Sequence, residues 1–313
     1  MLSRVIIDGK SVCDAAYVLI TPAKNEQQFI GKTIESVLAQ SAPPREWIIV
    51  SDGSTDNTDQ IVQGYCRENP FLRLVRVENG NGRHFAAKVA AFRCGLDAAV
   101  SNKYEFIGNL DADVSFAPDY FERVLLKFSQ RRTLGVAGGL ILENLGNVFV
   151  PQAIHRYSVA GAVQLFRRSC FEQIGGYTPV RAGGIDTAAE IKARMHGWEV
   201  ETFPDLQVFH HRRIQTGSSN ILATRFRQGV NHSRLGYHPL FQLLSSISRV
   251  KDRPYCIGSA LVLAGYCWAS FRYPDKVLPP HVVEFLRKEQ WKRVRALREE
   301  LANRIGAEQV ASL

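Results

Sequence analysis

Short, continuously apolar runs alternate along the chain with longer segments in which apolar residues recur every three or four positions. The apolar runs predict buried strands at Ala16–Ile20, Trp47–Val50, Leu72–Val77 and Phe106–Leu110. Helical spacing follows the first three strands, at about Glu26–Gln40, Thr58–Arg67 and His84–Val100. Strand–helix units of roughly 30 residues are typical of βαβ crossovers. The pattern therefore predicts an α/β fold with a mostly parallel, Rossmann-like sheet.

The alternation loosens after Pro118. The remaining predicted elements are a helix at Tyr120–Gln130, β-like segments at Val136–Leu142 and Ala162–Phe166, a helix at Ala188–His196 and a strand at Leu206–Phe209. From His210 onward the pattern is mainly helical. Since no low-complexity linker interrupts the chain, we expect a catalytic domain over residues 1–211 and a helical annex over 212–313.

Charge separates these two regions. The 313 residues carry a net charge of +9, and 45% hydrophobic with 22% charged residues excludes a disordered or fibrous chain. Residues 1–211 contain 22 basic and 23 acidic residues, whereas residues 212–313 contain 17 basic and 7 acidic ones. The whole basic excess therefore belongs to the annex. Six scattered cysteines without a CxxC pair favour a reducing, cytoplasmic compartment.

Polar segments follow the first two predicted strands, at Thr21–Glu26 and Ser51–Thr58. Ligands of open parallel sheets bind beyond the carboxyl ends of the strands, where both segments fall. We expect Asp52 to accept hydrogen bonds from a nucleoside, and Gly53 to permit close backbone approach. For Asp56 and Thr58 a helix-capping role is the simpler interpretation.

A second polar constellation, Asp111-Ala112-Asp113, ends the fourth predicted strand. Residues two apart in an extended segment point the same way, so both carboxylates can converge on one point. Such a pair repels unless a cation joins it, and hard oxygen ligands suit Mg²⁺ or Mn²⁺ shared with substrate phosphates. Two solvated loop acids are the alternative.

Together these segments resemble the signatures of family 2 glycosyltransferases of the bacterial cell-envelope and exopolysaccharide type, which have the A-type nucleotide-sugar fold. The resemblance covers about residues 15–215. It implies a nucleotide-binding set consisting of Thr21, Pro22, Ala23, Glu26, Asp52, Lys88, Asp111 and Ala112. It also implies Asp113 and His210 as residues that approach the metal. Lys88 is open to a second interpretation, as a solvated helix charge.

The resemblance further implies a catalytic base at Asp186, which removes the proton of the acceptor hydroxyl in an inverting transfer. The chain departs from the family here, because Ile185 replaces the first of two usual acidic residues. Asp186 as a simple helix cap is the rival interpretation, and Glu190 is the reserve base. Further candidates near the diphosphate or acceptor are Asn109, Gln164, His211, Arg212 and Arg225.

The C-terminal third contains the apolar run Tyr255–Phe271, which is shorter than the roughly 20 residues of a spanning helix. A core helix and a helix lying in a membrane interface both fit it. A later helix has apolar residues at Val283, Leu286, Val294, Leu297 and Leu301 among many Lys and Arg residues. It fits either the inner face of an anionic bilayer or a packed helix with a solvated basic face.

The combined prediction is an inverting glycosyltransferase that uses a nucleotide-diphosphate sugar and Mn²⁺ or Mg²⁺. Its acceptor is a glycan or a lipid-linked glycan, and its location is cytoplasmic or peripheral on the inner face of the plasma membrane. A nucleotidyltransferase and a non-catalytic membrane-associated scaffold are the alternatives. A nucleic-acid-binding module would explain the basic annex, but no recognition motif supports it, so no nucleic-acid partner is expected.

Overall fold

The computed structural model describes residues 6–7, 10–11, 15–77, 85–146, 148–152, 157–180, 183–213, 218–250 and 255–311. The chain divides into two compact units, Met1–Ile214 and Gln215–Leu313. His84, the expected start of the third helix, lies outside the described residues, as do the side chains of Leu297 and Leu301.

The N-terminal unit contains strands and helices in alternation. Its strands are β1 (Ile6–Ile7), β2 (Lys10–Ser11), β3 (Tyr17–Ala23), β4 (Glu46–Asp52), β5 (Leu72–Val77), β6 (Phe106–Leu110), β7 (Val114–Phe116), β8 (Leu134–Asn144), β9 (Phe149–Pro151), β10 (Val163–Arg167) and β11 (Glu199–Arg213). Its helices are α1 (Ile30–Leu38), α2 (Thr58–Cys66), α3 (Phe85–Asp97), α4 (Tyr120–Gln130), α5 (Arg168–Gln173) and α6 (Ile185–Met195).

Among the described residues, the main sheet has the strand order β5-β4-β3-β6-β10-β8-β11-β7, with β9 paired to β8. Strands β3 to β6 are parallel, as the crossover pattern predicts. The other half is mixed: β10 runs antiparallel to both neighbours and β7 runs antiparallel to β11, whereas β11 runs parallel to β8. The sheet is therefore mixed, and its parallel half carries the predicted nucleotide-binding segments.

Several predicted strands end too early, and two of these differences, in β3 and β11, concern predicted site residues. β3 continues through Ala23, because Pro22 and Ala23 pair with Val50 and Ser51 of β4. β11 extends through Arg213, so the expectation that the helical region begins at His210 is wrong. Its length comes from pairing with β8 over most of its course and with β7 near its end. Both extensions carry predicted site residues into the sheet.

The hydrophobic core lies between the sheet and helices α1, α2 and α4. Its largest fully buried side chains include Trp47, Tyr17 and Phe121. α3 packs on the other face, where a Cβ at Gly95 would lie within 3 Å of Ile20 and Val50. Both faces of the parallel strands are thus covered, which explains why they are continuously apolar.

The C-terminal unit is helical: α7 (Ser218–Leu235), α8 (Pro239–Ser248), α9 (Ile257–Arg272) and α10 (Pro280–Ala311). α7 and α9 cross at two glycines. A Cβ at Gly229 would lie 1.9 Å from the Val262 carbonyl oxygen, and one at Gly265 would lie 2.1 Å from that of Phe226. No helix within the described residues is long and apolar enough to cross a membrane.

Gly139 supplies a test of the sheet packing. A Cβ there would lie 2.2 Å from the backbone oxygen of Leu206 and 2.9 Å from Tyr120. Because backbone cannot yield as a side-chain tip does, we expect Gly139→Ala to lower the free energy of unfolding by roughly 1–3 kcal/mol. Urea denaturation measures this change.

The matched control is Gly64→Ala in α2, where an added Cβ meets nothing within 4 Å. Alanine is the better helix former, so this variant should gain up to about 1 kcal/mol. Equal effects of the two substitutions would contradict the close approach at Gly139.

Candidate active site

The loops that follow β3 and β4 are bonded to each other. Asn25 adopts a left-handed conformation with φ 55°, and its side-chain oxygen accepts a 2.8 Å hydrogen bond from the backbone N–H of Thr55. The backbone N–H of Glu26 donates to the Thr58 hydroxyl at 2.7 Å. These bonds hold both loops at the carboxyl edge of the sheet, where the sequence predicts a ligand.

Asp52 is the last residue of β4 and is buried. Its Oδ1 has no hydrogen-bond partner within the part of the chain that the structure describes. Gly53 follows with φ 64°, a conformation that favours glycine. A buried carboxylate oxygen without a partner is costly, so Asp52 has the character of a binding residue.

Thr21, Ala23 and Ala112 are buried in the protein. The Thr21 hydroxyl accepts a 2.9 Å hydrogen bond from the indole of Trp47. Pro22 lies between them in β3 and is half-buried. The side chains of Thr21 and the two alanines therefore form the support of the site, and a ligand would meet backbone there.

Lys88 and Asp111 connect α3 to the segment after β6. The Lys88 ammonium lies 2.5 Å from Asp111 Oδ1. Burial raises the pKa of Asp111, although Lys88 opposes the rise. The alternative of Lys88 as a solvated helix charge does not describe this structure, because the ammonium is paired at the edge of the sheet.

Asp113 lies between two basic residues of β11. Arg212 Nε donates to Asp113 Oδ2 at 2.8 Å, and His210 Nε2 lies 3.3 Å from Asp113 Oδ1. The same Arg212 guanidinium bonds with Glu26 and lies over the ring of Phe29. The strand extension at the end of β11 thus brings His210 and Arg212 to the predicted acidic pair.

Glu143 completes this cluster and was not predicted from the sequence. Its carboxylate lies 2.9 Å from His210 Nδ1, because Glu143 of β8 pairs with His210 of β11. Burial disfavours a charged His210, but the hydrogen bonds with Asp113 and Glu143 outweigh it and raise the pKa to about 10. Glu143 is the single acidic residue of the apolar strand Leu134–Asn144, and this isolated acid is the sequence signal that could have identified it.

Asp113 and His210 could hold a divalent cation as a pair only after His210 loses its proton, because a metal ion binds the neutral imidazole. Neighbouring ligands of an octahedral ion with bonds of about 2.1 Å lie about 3 Å apart, close to the 3.3 Å between Asp113 Oδ1 and His210 Nε2. Within the described ranges no cluster of three or more His, Cys, Asp or Glu residues fits a metal ion. The remaining ligands would have to come from a diphosphate and from water.

Asp186 lies in the first turn of α6, after two glycines in the left-handed conformation. Its Oδ1 accepts a 2.8 Å hydrogen bond from the N–H of Thr187, and its Oδ2 lies against Gly161. The Gly161 carbonyl in turn accepts a 2.6 Å hydrogen bond from Asn109, two residues before Asp111. These contacts connect the predicted base to the acidic pair.

Glu190 and Gln164 form a buried network beneath Asp186. The N–H of Val159 and the hydroxyl of Ser158 donate to Glu190 at 2.7 and 2.9 Å. Gln164 donates to Val159 and accepts from the Tyr177 hydroxyl at 2.7 Å. Both residues are at most 2% exposed, so they hold the segment before β10 in place instead of facing an acceptor.

The last two predicted candidates are His211 and Arg225. His211 Nε2 lies 2.8 Å from the Ser115 hydroxyl, on β11 beside β7. Arg225 belongs to α7 in the C-terminal unit, where it lines a small cavity with Arg249 and Gly258.

Comparison with known proteins identifies the family. Residues 18–190 match the family model described as glycosyl transferase family 2. A chondroitin synthase of Pasteurella multocida (strain Pm70) is 31% identical over 222 residues, which make up 67% of this chain and 22% of the relative. A poly-beta-1,6-N-acetyl-D-glucosamine synthase of Staphylococcus epidermidis is 27% identical over 199 residues, which make up 58% of this chain and 46% of the relative.

The chain thus spans between about a fifth and about half of the length of these curated relatives. Among solved structures, the mannosyltransferase PcManGT from Pyrobaculum calidifontis, in complex with GDP-Man and Mn²⁺, is similar with a TM-score of 0.53. Its sequence identity is 19%, and the match covers 97% of this chain and 83% of that one. At this identity the likeness shows the fold, which is the A-type glycosyltransferase fold.

The buried carboxyl of Glu190 predicts a pH dependence of stability. Burial and the nearby Asp186 raise its pKa from 4.5 to about 8. Between these values the unfolded chain carries an ionised Glu190 and the folded protein a protonated one. The contribution of Glu190 to folded stability is therefore highest below about pH 4.5 and decreases as the pH rises to 8. Glu190→Gln removes this pH-dependent loss of stability. The stability of the variant relative to the parent protein should therefore rise from pH 5 to pH 8.

Melting temperatures of the two proteins across this pH range measure the effect. Glu172→Gln, at an exposed acid of α5, is the matched control and should show no growing difference. A constant gap between Glu190→Gln and the parent protein would contradict the assignment.

Proposed function

Because the chain belongs to glycosyl transferase family 2, we propose that it transfers a sugar from a nucleotide-diphosphate donor to a hydroxyl of a glycan or lipid-linked acceptor. The observation that carries the proposal is the charged cluster at the carboxyl edge of the parallel strands, where Asp111 and Asp113 meet Lys88, His210 and Arg212. Alternating carboxylates and cations suit a diphosphate and its metal ion.

The nucleoside lies beside Asp52 in this proposal. The Oδ1 atom of Asp52 is buried and has no hydrogen-bond partner among the described residues, so a donor group of the base or ribose would satisfy it. The loops after β3 and β4, which are hydrogen-bonded to each other, form the walls of the nucleoside site. Buried Thr21 and Ala23 hold the backbone of β3 behind these loops. Asp111 follows β6, the strand next to β3, and pairs with Lys88 of α3, at the position expected for ribose and diphosphate.

In this proposal Asp113 and a deprotonated His210 hold Mn²⁺ or Mg²⁺, and the ion takes the place of the proton on His210. An imidazole beside a carboxylate favours Mn²⁺, since Mg²⁺ prefers oxygen ligands. When bound, the ion stabilises negative charge on the departing nucleoside diphosphate. Arg212 and Lys88 add positive charge at the same edge of the sheet, and Glu143 orients the His210 ring through its other nitrogen.

Asp186 acts as the base in this proposal. Its carboxylate accepts the proton of the acceptor hydroxyl while that oxygen forms a bond to the anomeric carbon. The bond between this carbon and the diphosphate oxygen breaks, and its electron pair leaves with the diphosphate. A single displacement inverts the anomeric configuration. The helix N-terminus holds the Asp186 carboxylate in place through the Thr187 N–H.

We place the reaction in the assembly of a bacterial envelope polysaccharide, on the cytoplasmic side and at the inner face of the plasma membrane. The support is the class of the relatives, which are glycan synthases by name. The basic C-terminal unit is consistent with that surface, because the inner leaflet is negatively charged.

A thermal-shift panel of nucleotide sugars with Mn²⁺ or Mg²⁺ tests the donor proposal. One donor should raise the melting temperature of the full chain by binding only the folded state. Asp52→Ala should abolish this shift, whereas Asp205→Asn should retain it, because Asp205 pairs with Arg123 on the surface. No shift with any donor would contradict the proposal.

Asp186→Asn tests the base. It should retain the donor-induced shift and lose at least about a hundredfold in transfer rate, since only proton removal is affected. The released product should be the nucleoside diphosphate, and NMR of the product should show an inverted anomeric centre. Pyrophosphate release from a nucleoside triphosphate and a sugar phosphate, without transfer from the nucleotide sugar, would indicate a nucleotidyltransferase. Full activity of Asp186→Asn would exclude Asp186 as base.

A further inference from the structure

Helix α8 has its polar side chains inside and its apolar side chains outside. Gln242 and Ser246 are its buried residues, and Gln242 bonds with His232 at 2.7 Å and with Ser246 at 3.0 Å. Its exposed row consists of Leu240, Leu243, Leu244 and Ile247. A helix that packs in water has the opposite arrangement, so this row is suited to apolar surroundings.

Helix α9 is apolar on both faces. Small and medium residues such as Gly258, Val262 and Gly265 are buried within the C-terminal unit. Ile257, Trp268 and Phe271 are exposed on the other side, with Phe271 at 89% exposure. Ala260 and Ala264 lie between them at helical spacing and are also exposed. The exposed side of α9 carries no charge before Arg272.

These two helices pack against each other. We define the α8–α9 surface as the exposed row of α8 together with Ile257, Trp268 and Phe271 of α9. Single exposed apolar residues are ordinary in proteins, whereas a surface formed by two neighbouring helices marks an interaction site. Trp268 adds an amphipathic ring, which is typical of the boundary between lipid and water.

The charge around this surface favours an anionic partner. Residues 215–313 contain fifteen Lys and Arg residues against seven Asp and Glu residues. α10 packs against α8 and buries Val282 and Leu286, and it exposes the basic residues Lys288, Lys292, Arg293 and Arg295. An apolar surface beside a basic helix complements a lipid surface that is apolar inside and negatively charged outside.

We propose that the α8–α9 surface docks the protein on a bilayer that contains anionic phospholipid, with both helices lying along the interface. α9 has 16 residues, or about 24 Å of helix, which is shorter than a hydrocarbon core of about 30 Å. The helices therefore lie on the membrane and do not span it. This inference deepens the location in the proposed function and rests on it only for the membrane face.

Co-sedimentation of the full chain with vesicles tests the docking surface. Vesicles of phosphatidylcholine mixed with phosphatidylglycerol should bind the protein, and binding should weaken with salt and in phosphatidylcholine alone. The double variant Ile247→Asp/Phe271→Asp should bind the mixed vesicles at least about tenfold more weakly, because two inserted side chains are lost. Circular dichroism confirms that the variant is folded.

The matched control is Val100→Asp, an equally exposed apolar position of the N-terminal unit, which should bind like the parent protein. Unchanged binding of the double variant would overturn the proposal, as would a dimer in solution that the double variant dissociates. The donor-induced thermal shift is measured on the same samples. If it persists while vesicle binding is absent, the docking surface is wrong and the proposed transfer reaction stands.

Discussion

The guanidinium of Arg212 joins segments that are far apart in the sequence. It bonds with Asp113 after β6 and with Glu26 after β3, and it lies over Phe29. Without a cation, these two carboxylates would repel each other at the edge of the sheet. Together with Lys88 and His210, Arg212 lets several acids share a small region. In the proposed function, that edge of the sheet offers charges of both signs to a diphosphate and a divalent ion.

The base of the proposed reaction depends on a different kind of constraint. Asp186 is held by a helix start and by contact with Gly161, and Gly161 is bonded to Asn109 on the neighbouring strand. Below it, the buried carboxyl of Glu190 holds the segment before β10 through Val159 and Ser158. Burial and the nearby Asp186 raise the pKa of Glu190, so an ionised Glu190 is disfavoured at this position.

Polar and apolar side chains are arranged differently in the C-terminal unit. Charged residues of the N-terminal unit meet inside a site, whereas α8 places its apolar residues outside and keeps Gln242 within. Such a surface marks an interaction site, and in our proposal anionic lipid covers it because the basic helix α10 lies beside it. Helix α10 buries Val282 and Leu286 and is therefore a packed helix. The exposed apolar surface belongs to α8 and α9.

Local patterns determined much of this protein. Continuous apolar runs predict the four parallel strands, and the polar residues at their carboxyl ends mark Asp52, Asp111 and Asp113, because this edge is where such sheets bind ligands. Only the tertiary structure decided that β11 continues to Arg213, that Glu143 meets His210, and that Gln164 lies in the interior. These features arise from pairing between segments distant in sequence, which no local periodicity encodes. The inverted helix α8 has the same origin, since periodicity identifies an apolar face but not the side on which the rest of the protein lies.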